Sequence, residues 1–345
     1  MTTVLCTLYN SLYLDKGLVL YDSLCECAKD FKLYVLCMDD KCYDVLTDLH
    51  QESVIPIRLL DFEEGDKDLK EAKSNRPIGE YCWTCSSSFI RFILNNYKEP
   101  ICTYVDADMY FYSDPQILID EMLTAGKSVM ITPHRFPPKD EKQAKTVGIY
   151  CVEFNTFRNI PESLEVLEYW RNRCLECCSN LGDGIHWGDQ KYLEELVQKF
   201  QCVHVCDNLG AGVAPWNLMS YSMGADNIHV LAKDEKKEIL MVFYHFQGLT
   251  YISDRYVMSG IEKNRSDIDY ILLKLLYRDY LQKIRLKKKG LNKLFGLDVM
   301  IKVHPALEVK TTSLIKKWLK KTIFYEKYRQ YRLLNDGRQF VIRLD

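Results

Sequence analysis

Two aspartates, one residue apart, follow directly on a strongly apolar run of the sequence. Asp106 and Asp108 come after Ile101–Val105, whose residues are typical of a buried strand. Carboxylates at such a place are costly to bury unless a cation or hydrogen-bond donors meet them, and two that converge predict a divalent cation. A hard cation held this way takes its other ligands from phosphate and water, and it stabilises charge on a departing phosphate. The alternative is a polar junction, or a cap on a helix that begins near Pro115.

A histidine stands at the end of another apolar run. His245 follows Ile239–Phe243, and Gly248 comes three residues later. Such a histidine is more often a hydrogen-bonded core residue, which is the alternative here. Beside two aspartates, however, it would complete a mixed oxygen and nitrogen ligand set, which favours manganese somewhat over magnesium.

Four further positions suit a sugar-phosphate ligand, and most have a plain structural alternative. Arg91 precedes the aspartates and would meet a diphosphate, or would be an ordinary solvated arginine. Asn155 at a strand end would bind a sugar hydroxyl, or would form a turn. Asp189 follows a glycine-rich loop and would contact the ligand, or would cap the next helix. Trp216 offers an apolar ring face that suits a pyranose.

Strand-like and helix-like segments alternate over the first 250 residues. We predict strands at Thr3–Leu8, Lys32–Met38, Val54–Leu59, Ile101–Val105, Ser128–Thr132, Gly148–Phe154, Gln201–Val205 and Ile239–Tyr244. We predict helices at Leu18–Lys29, Tyr81–Tyr97, Pro115–Leu123, Pro161–Cys178 and Asp189–Phe200. Alternation of this kind predicts an α/β domain whose sheet is mainly parallel and flanked by helices. Ligands of such sheets bind beyond the carboxyl ends of the strands.

Taken in order, these segments resemble glycosyltransferase family 8 and related nucleotide-diphospho-sugar transferases with the GT-A fold. The resemblance covers roughly residues 1–255. The matching pieces are Thr7–Asn10, Arg91, the Asp-Ala-Asp motif at 106–108, Phe154-Asn155, Gly188-Asp189-Gln190 and His245-Phe246-Gln247-Gly248. Each piece is short, but six in this order are fairly specific.

The resemblance implies a Rossmann-like, mixed and mainly parallel sheet and a transfer of hexosyl type from a nucleotide-diphosphate sugar. UDP is the usual nucleotide of that family, and retention of the anomeric configuration is expected. Asp106, Asp108 and His245 are expected to ligate Mn²⁺ or Mg²⁺. Catalytic roles beside the sugar are expected for Asp189 and Gln190. The full set of predicted substrate contacts is Thr7, Tyr9, Asn10, Arg91, Asn155, Trp216 and Gly248.

Two positions depart from the pattern of that family. Its histidine motif is usually followed by Lys-Pro-Trp, whose lysine meets the diphosphate. Here the sequence continues Leu249-Thr250-Tyr251, so no lysine corresponds. The aspartate often found directly after the first strand is also absent, since Thr7 and Asn10 stand there. The base of the nucleotide is therefore assigned only by the family's usual choice.

Composition predicts a globular chain with a large core. Of its 345 residues 47% are hydrophobic, which excludes a disordered chain. No apolar run reaches the roughly 20 residues that a spanning helix needs, and the first residues lack the pattern of a signal peptide. The 14 cysteines are scattered through apolar runs, and we interpret them as reduced thiols of a cytoplasmic protein.

Charge is distributed unevenly along the chain. Residues 281–345 hold 17 Lys/Arg and 5 Asp/Glu, a net charge of +12, whereas residues 1–280 carry a net charge of −14. We therefore predict a GT-A transferase domain over 1–260 and a basic helical C-terminal region over 261–345. The basic and aromatic tail favours an anionic membrane surface on the inner face and a glycan or lipid-linked acceptor, as in surface polysaccharide assembly. No nucleic-acid partner is predicted, because no recognition fold is present.

Two other functions remain open from the sequence. A nucleotidyltransferase that makes the activated sugar would share the fold class and a carboxylate metal site. Such enzymes normally carry a glycine-rich, basic loop after the first strand, whereas Thr7–Lys16 contains no such run. A catalytically inert carbohydrate-binding protein on the same fold is the second alternative, and the intact aspartate, histidine and Gly-Asp-Gln motifs count against it.

Overall fold

The computed structural model describes residues 2–179, 181, 185–226, 228–253, 256–262, 267–299 and 339–343. The strands within these ranges are β1 (Thr3–Tyr9), β2 (Phe31–Cys37), β3 (Val54–Arg58), β4 (Ile101–Val105), β5 (Met109–Phe111), β6 (Val129–Pro133), β7 (Tyr150–Arg158), β8 (Val203–Val205), β9 (Tyr221–Met223), β10 (His229–Ala232), β11 (Lys237–Leu240), β12 (Phe243–His245), β13 (Thr250–Ser253), β14 (Tyr256–Glu262) and β15 (Gln339–Arg343). The α-helices are α1 (Leu14–Cys27), α2 (Asp40–Leu49), α3 (Leu59–Glu63), α4 (Lys67–Asn75), α5 (Ile78–Asn96), α6 (Gln116–Thr124), α7 (Glu141–Val147), α8 (Pro161–Glu176), α9 (Leu193–Lys199) and α10 (Tyr270–Phe295).

Seven strands form the central sheet in the order β3-β2-β1-β4-β7-β6-β8. Strands β3, β2, β1 and β4 are mutually parallel, and β6 is parallel to β8. Strand β7 runs antiparallel to both of its neighbours, β4 and β6. The predicted mixed, mainly parallel sheet flanked by helices is therefore confirmed.

Helices cover both faces of this sheet. One hydrophobic cluster joins a face of the sheet to α1, α2 and α6, and a second joins the opposite face to α5, α8 and α9. Nine of the 14 cysteines are buried, mostly within these two clusters, as small core residues. The carboxyl ends of β1 and β4 lie side by side at one edge, because these strands are parallel neighbours.

The predicted element boundaries differ from the structure in two places that concern the site. The run predicted as one strand, Ile239–Tyr244, is divided between β11 and β12, which belong to different sheets. The division falls at Val242, whose backbone N–H donates to Gly210 and whose carbonyl accepts from Tyr112. The helix predicted from Asp189 begins only at Leu193.

Helix α10 packs against the strand pair β5–β12 and the turn that follows it. The ring of Phe246 stacks on Tyr280, with centroids 3.6 Å apart and planes 5° apart. On its basic side, Lys287 pairs with Asp22 of α1 at 2.7 Å. Residues before and after the predicted boundary near position 260 thus share one hydrophobic cluster.

The C-terminal region is described only in part. The division into 1–260 and 261–345 stays a prediction, and the second basic stretch around 313–334 lies outside the described residues. Among the helices that the structure describes, none combines the length and the apolarity that a membrane crossing requires.

The packing of α10 predicts a large loss of stability when one buried side chain of this helix is shortened. Leu276 is 0% exposed, so Leu276→Ala should lower the free energy of unfolding by about 2–5 kcal/mol. Leu286 lies in the same helix and is 61% exposed, so Leu286→Ala should change it by less than about 0.5 kcal/mol. Urea unfolding of both variants measures the difference. Equal, small effects would mean that α10 does not support the fold.

Candidate functional site

Asp106 and Asp108 lie in the short turn between β4 and β5, at the carboxyl end of β4. The turn is fixed by its backbone: the Asp106 N–H donates to the Glu153 carbonyl at 3.4 Å, and the Phe246 N–H donates to the Asp108 carbonyl at 2.8 Å. Both side chains are partly buried. The two carboxylates therefore project from a braced turn at the sheet edge where ligands of α/β sheets bind.

Strand pairing brings His245 to the same place. Strand β12 is antiparallel to β5, with His245 opposite Met109, one residue after the aspartates. Its Nε2 lies 3.1 Å from an Asp108 oxygen and 3.6 Å from an Asp106 oxygen. Its Nδ1 lies 2.8 Å from an oxygen of Glu153. The three predicted metal ligands are thus brought together, although His245 is more than 130 residues away in sequence.

The electrostatics of this group are dominated by burial and by His245. Burial raises the pKa of Asp106 to about 7, although the charge of His245 opposes this. At Asp108 burial acts in the same direction, but His245 and Lys16 outweigh it and hold the pKa at about 2. Burial would lower the pKa of His245, yet Asp108, Cys151 and Glu153 keep it well above its usual range. Without a bound metal, the imidazole is therefore charged and donates from both nitrogens.

One distance at His245 Nε2, that to Asp108, is compatible with two neighbouring ligands of an octahedral cation. Neighbouring ligands of such an ion, with bonds of about 2.1 Å, lie about 3 Å apart. The distance from His245 Nε2 to Asp108 is close to this value. Because metal binding requires the neutral imidazole, the ion would displace the proton on Nε2, while Glu153 keeps the one on Nδ1.

Among the described residues, two other groups of three have ligand-type atoms that all lie within 4.8 Å of one another, and neither includes Asp106 or Asp108. Cys151, Glu153 and His245 hold such atoms within 4.8 Å of one another. Burial raises the pKa of the Cys151 thiol, so an ion bound there would also have to displace the thiol proton. A second cluster, Glu121 with His204 and Asp207, is already hydrogen-bonded within itself.

Asp189 is buried near Asp106, and its contacts differ from those of a helix cap. Its carboxylate accepts a hydrogen bond from Ser86 at 2.6 Å, and its carbonyl accepts one from Trp170 at 2.9 Å. Helix α9 begins after Tyr192 and has no side-chain cap bond, so the capping alternative is wrong. Burial raises the pKa of Asp189 to about 7. The amide nitrogen of Gln190 donates to the Val147 carbonyl at 2.6 Å.

Four predicted substrate contacts, which lie in β1, in β7 and directly after β1, divide into two kinds. Thr7 and Asn155 are fully buried, and their side-chain polar atoms have no hydrogen-bond partner among the described residues. Unpaired buried groups of this kind are rare and need an explanation, such as a ligand. Tyr9 instead packs in the core, with its ring directly over Gly17. Asn10 caps a short 3₁₀ turn by accepting from the Leu12 N–H at 3.1 Å.

Trp216 and Gly248 both lie next to His245. The Trp216 ring meets the His245 ring edge-on at 5.5 Å and donates to the His134 carbonyl at 2.8 Å. Gly248 has φ +78°, and a Cβ there would lie 3.3 Å from Gly260 Cα, so the turn needs a glycine. The turn after His245 thus accounts for the glycine, and its predicted contact with the substrate stays a prediction.

Arg91 is not brought together with the aspartates. Its Nε pairs with Glu168 at 2.8 Å on the surface of α5. It lines a cavity of about 850 Å³ together with Asp66 and Arg171. Asp106, Asp108 and His245 are not part of this lining. Its predicted contact with a diphosphate stays a prediction.

Two residues of the site were missed by sequence reasoning. Glu153 is a carboxylate inside the apolar run of β7, two residues before Asn155, and this placement is a signal that could have identified it. Lys16 is a lysine in the first turn of α1 and is 1% exposed. Its burial has no signature in the local sequence.

Comparison with known proteins gives relatives without an assigned activity. No family model matches the chain. The uncharacterized protein YfnD of Bacillus subtilis strain 168 is 32% identical over 252 residues, which are 72% of this chain and 78% of YfnD. The uncharacterized protein YfnF of the same organism is 27% identical over 280 residues, 79% of this chain and 89% of YfnF. Among solved structures, the apo form of the bifunctional glycosyltransferase WbbM matches with a TM-score of 0.49 and 13% identity, over 83% of this chain and 51% of WbbM.

The raised pKa of Asp189 predicts a specific pH dependence of stability. The folded chain holds this proton up to about pH 7, whereas an unfolded aspartate releases it near 3.8. The stabilising contribution is therefore lost as the pH rises between these values. Asp189→Asn keeps an acceptor for Ser86 but carries no charge, so its gain in Tm over wild type should be larger at pH 8 than at pH 5.

Thermal melts at the two pH values measure this gain. Asp48→Asn, at an exposed position of α2, is the control and should show no such dependence. A gain that is the same at both pH values for Asp189→Asn would contradict the prediction.

Proposed function

We propose that this chain, which belongs to the family of the uncharacterized Bacillus subtilis protein YfnD, is a metal-dependent glycosyltransferase that uses a nucleotide-diphosphate sugar. The observation that carries the proposal is the convergence of Asp106, Asp108 and His245 Nε2 at the carboxyl end of β4. This set of donors suits a hard divalent cation, and the order of the sequence motifs around it resembles nucleotide-sugar transferases.

The proposed role of these residues is to hold Mn²⁺ or Mg²⁺. When bound, the ion would supply a Lewis acid for the leaving phosphate. Asp106 and Asp108 offer oxygen ligands, and the nitrogen of His245 favours manganese. Glu153 fixes the orientation of the imidazole through Nδ1, as carboxylates commonly do for histidine ligands.

The proposed role of the second group is to bind the transferred sugar. Asp189, a buried carboxylate on the same side as Asp106, would orient sugar hydroxyls and stabilise positive charge that develops at the anomeric carbon. Gln190 would assist through its amide oxygen, since its nitrogen is held by Val147. Asn155 and Thr7 carry the unpaired polar atoms that hydroxyl groups of a ligand would satisfy.

The finer parts of the proposal rest on sequence resemblance and charge. They are a UDP donor, hexosyl transfer with retention, and a glycan or lipid-linked acceptor in surface polysaccharide assembly. Contact of residues 281–345 with the inner face of an anionic membrane rests on their net charge of +12.

Incubation with a panel of UDP-sugars and Mn²⁺ tests the donor. Slow UDP release supports a transferase, diphosphate release from a nucleoside triphosphate and a sugar phosphate supports a nucleotidyltransferase, and binding without turnover supports an inert protein.

Removal of one metal ligand should abolish metal-dependent activity. Asp108→Ala should lower UDP release at least 100-fold and remove most Mn²⁺-dependent UDP binding, and EDTA should do the same to wild type. Asp48→Ala, on the exposed face of α2, should behave as wild type. Turnover that persists in EDTA and in Asp108→Ala would show that these residues hold no required metal.

Glu153 and Cys151 flank His245 and allow the alternative metal grouping to be tested. Glu153→Gln keeps the shape but loses the charge that orients His245, so Mn²⁺ affinity should fall about 10- to 100-fold. Cys151→Ser should leave the affinity within about threefold, because the proposed ligands are Asp106, Asp108 and His245 Nε2, and Cys151 is not among them. Calorimetric titration with Mn²⁺ alone measures both. An equal loss in Cys151→Ser would instead place the ion between Cys151, Glu153 and His245.

A further inference from the structure

Lys16 is a buried cation that forms no direct ion pair with a carboxylate of the described residues. It is 1% exposed, and its ammonium donates one hydrogen bond, to the Leu249 carbonyl at 3.3 Å. No carboxylate among the described residues forms an ion pair with it within 4.0 Å. The neighbouring carboxylate of Asp15 accepts instead from the hydroxyl of Tyr251 at 2.6 Å. A buried ammonium without a paired anion is costly, and this is the usual mark of a site that awaits one.

A chain of hydrogen bonds links Lys16 to the candidate metal ligands Asp106, Asp108 and His245. Leu249 ends the turn after His245, and its N–H donates to the Phe246 carbonyl at 3.1 Å. The N–H of Phe246 in turn donates to the Asp108 carbonyl. Lys16 and Asp108 thus both hydrogen-bond to the turn that follows His245. The positive charge of Lys16 also contributes to the low pKa of Asp108, as expected for neighbours.

The cover over Lys16 is a side chain that can move. The ring of Tyr13 lies 4.0 Å from the ammonium, and this tyrosine is partly exposed in the 3₁₀ turn before α1. Rotation of this single ring would open the ammonium to a ligand at the carboxyl end of β1. The turn after His245 has no lysine of its own, since Leu249, Thr250 and Tyr251 follow Gly248.

We infer that Lys16 binds the diphosphate of the nucleotide-sugar donor, supplying from α1 the cationic side chain that the turn after His245 lacks. The inference rests on the proposed function. An ammonium within reach of both phosphates and of the carboxylate-held metal would neutralise part of the charge of the bound diphosphate and of the departing nucleotide. The ring of Tyr13 moves aside when the nucleotide binds.

Calorimetric titration of the full chain with UDP and with UMP, each in the presence of Mn²⁺, tests this role. Lys16→Met should lower UDP affinity at least tenfold and UMP affinity by a smaller factor. Lys16→Arg, which keeps the charge, should recover part of the loss. Lys41→Met, at an exposed lysine in the first turn of α2, is the matched control and should bind UDP as wild type does. Melting temperatures and Mn²⁺ affinity without nucleotide should stay close to wild type.

The outcomes separate this inference from the proposed function. If wild type binds neither UDP nor another nucleoside diphosphate with Mn²⁺, the proposed function fails, and this role of Lys16 fails with it. If wild type binds UDP and folded Lys16→Met binds it equally well, Lys16 has only a structural role while the proposed function stands. Should Lys16→Met not fold, Lys16→Gln keeps a donor for the Leu249 carbonyl and decides the question by the same measurement.

Discussion

The contact on which the rest of the site depends is the one between the imidazole of His245 and the carboxylates on its two sides. Glu153 and His245 are almost completely removed from water, and Asp108 is largely so. Burying each charge separately would cost several kcal/mol, and their mutual hydrogen bonds offset much of this cost. The register of β5 on β12 sets the geometry, because it fixes His245 beside the turn that carries both aspartates.

The register of β5 on β12 is stabilised in turn by packing against helix α10, outside the central sheet. Phe246, the residue after the histidine, stacks on Tyr280 of α10, and Tyr244 lies in the same hydrophobic cluster. A helix that sequence reasoning assigned to the basic C-terminal region therefore supports the turn that carries the candidate metal ligands. Part of its positive charge is also used within the fold, since Lys287 pairs with Asp22. Only the remainder is left for an external anionic surface.

Local signals in the sequence were sufficient to predict the mixed, mainly parallel sheet and to identify three residues of the candidate site. Apolar runs that end in polar residues identified β4, the aspartates and His245, and in the structure His245 Nε2 lies within 3.6 Å of an oxygen of each aspartate. Glu153 and Lys16 were missed because their contacts, with His245 and Leu249, span 92 and 233 residues. A sequence pattern shows which face of a strand is apolar. It does not show which group, distant in sequence, contacts a charged side chain that is buried in the fold.

The balance of charge around the site bears on how an anionic donor would reach it. Three carboxylates, those of Asp108, Glu153 and Asp189, lie close enough to Asp106 to raise its pKa, and His245 is already committed to two of them. A diphosphate that approached these groups alone would meet net negative charge in a region of low dielectric constant. Under the proposed function, nucleotide binding therefore requires that a metal cation binds first. The single positive charge of Lys16 is not enough by itself to make the net charge of the site positive. Tight coupling between metal and nucleotide affinity follows from this arrangement, whichever sugar the nucleotide carries.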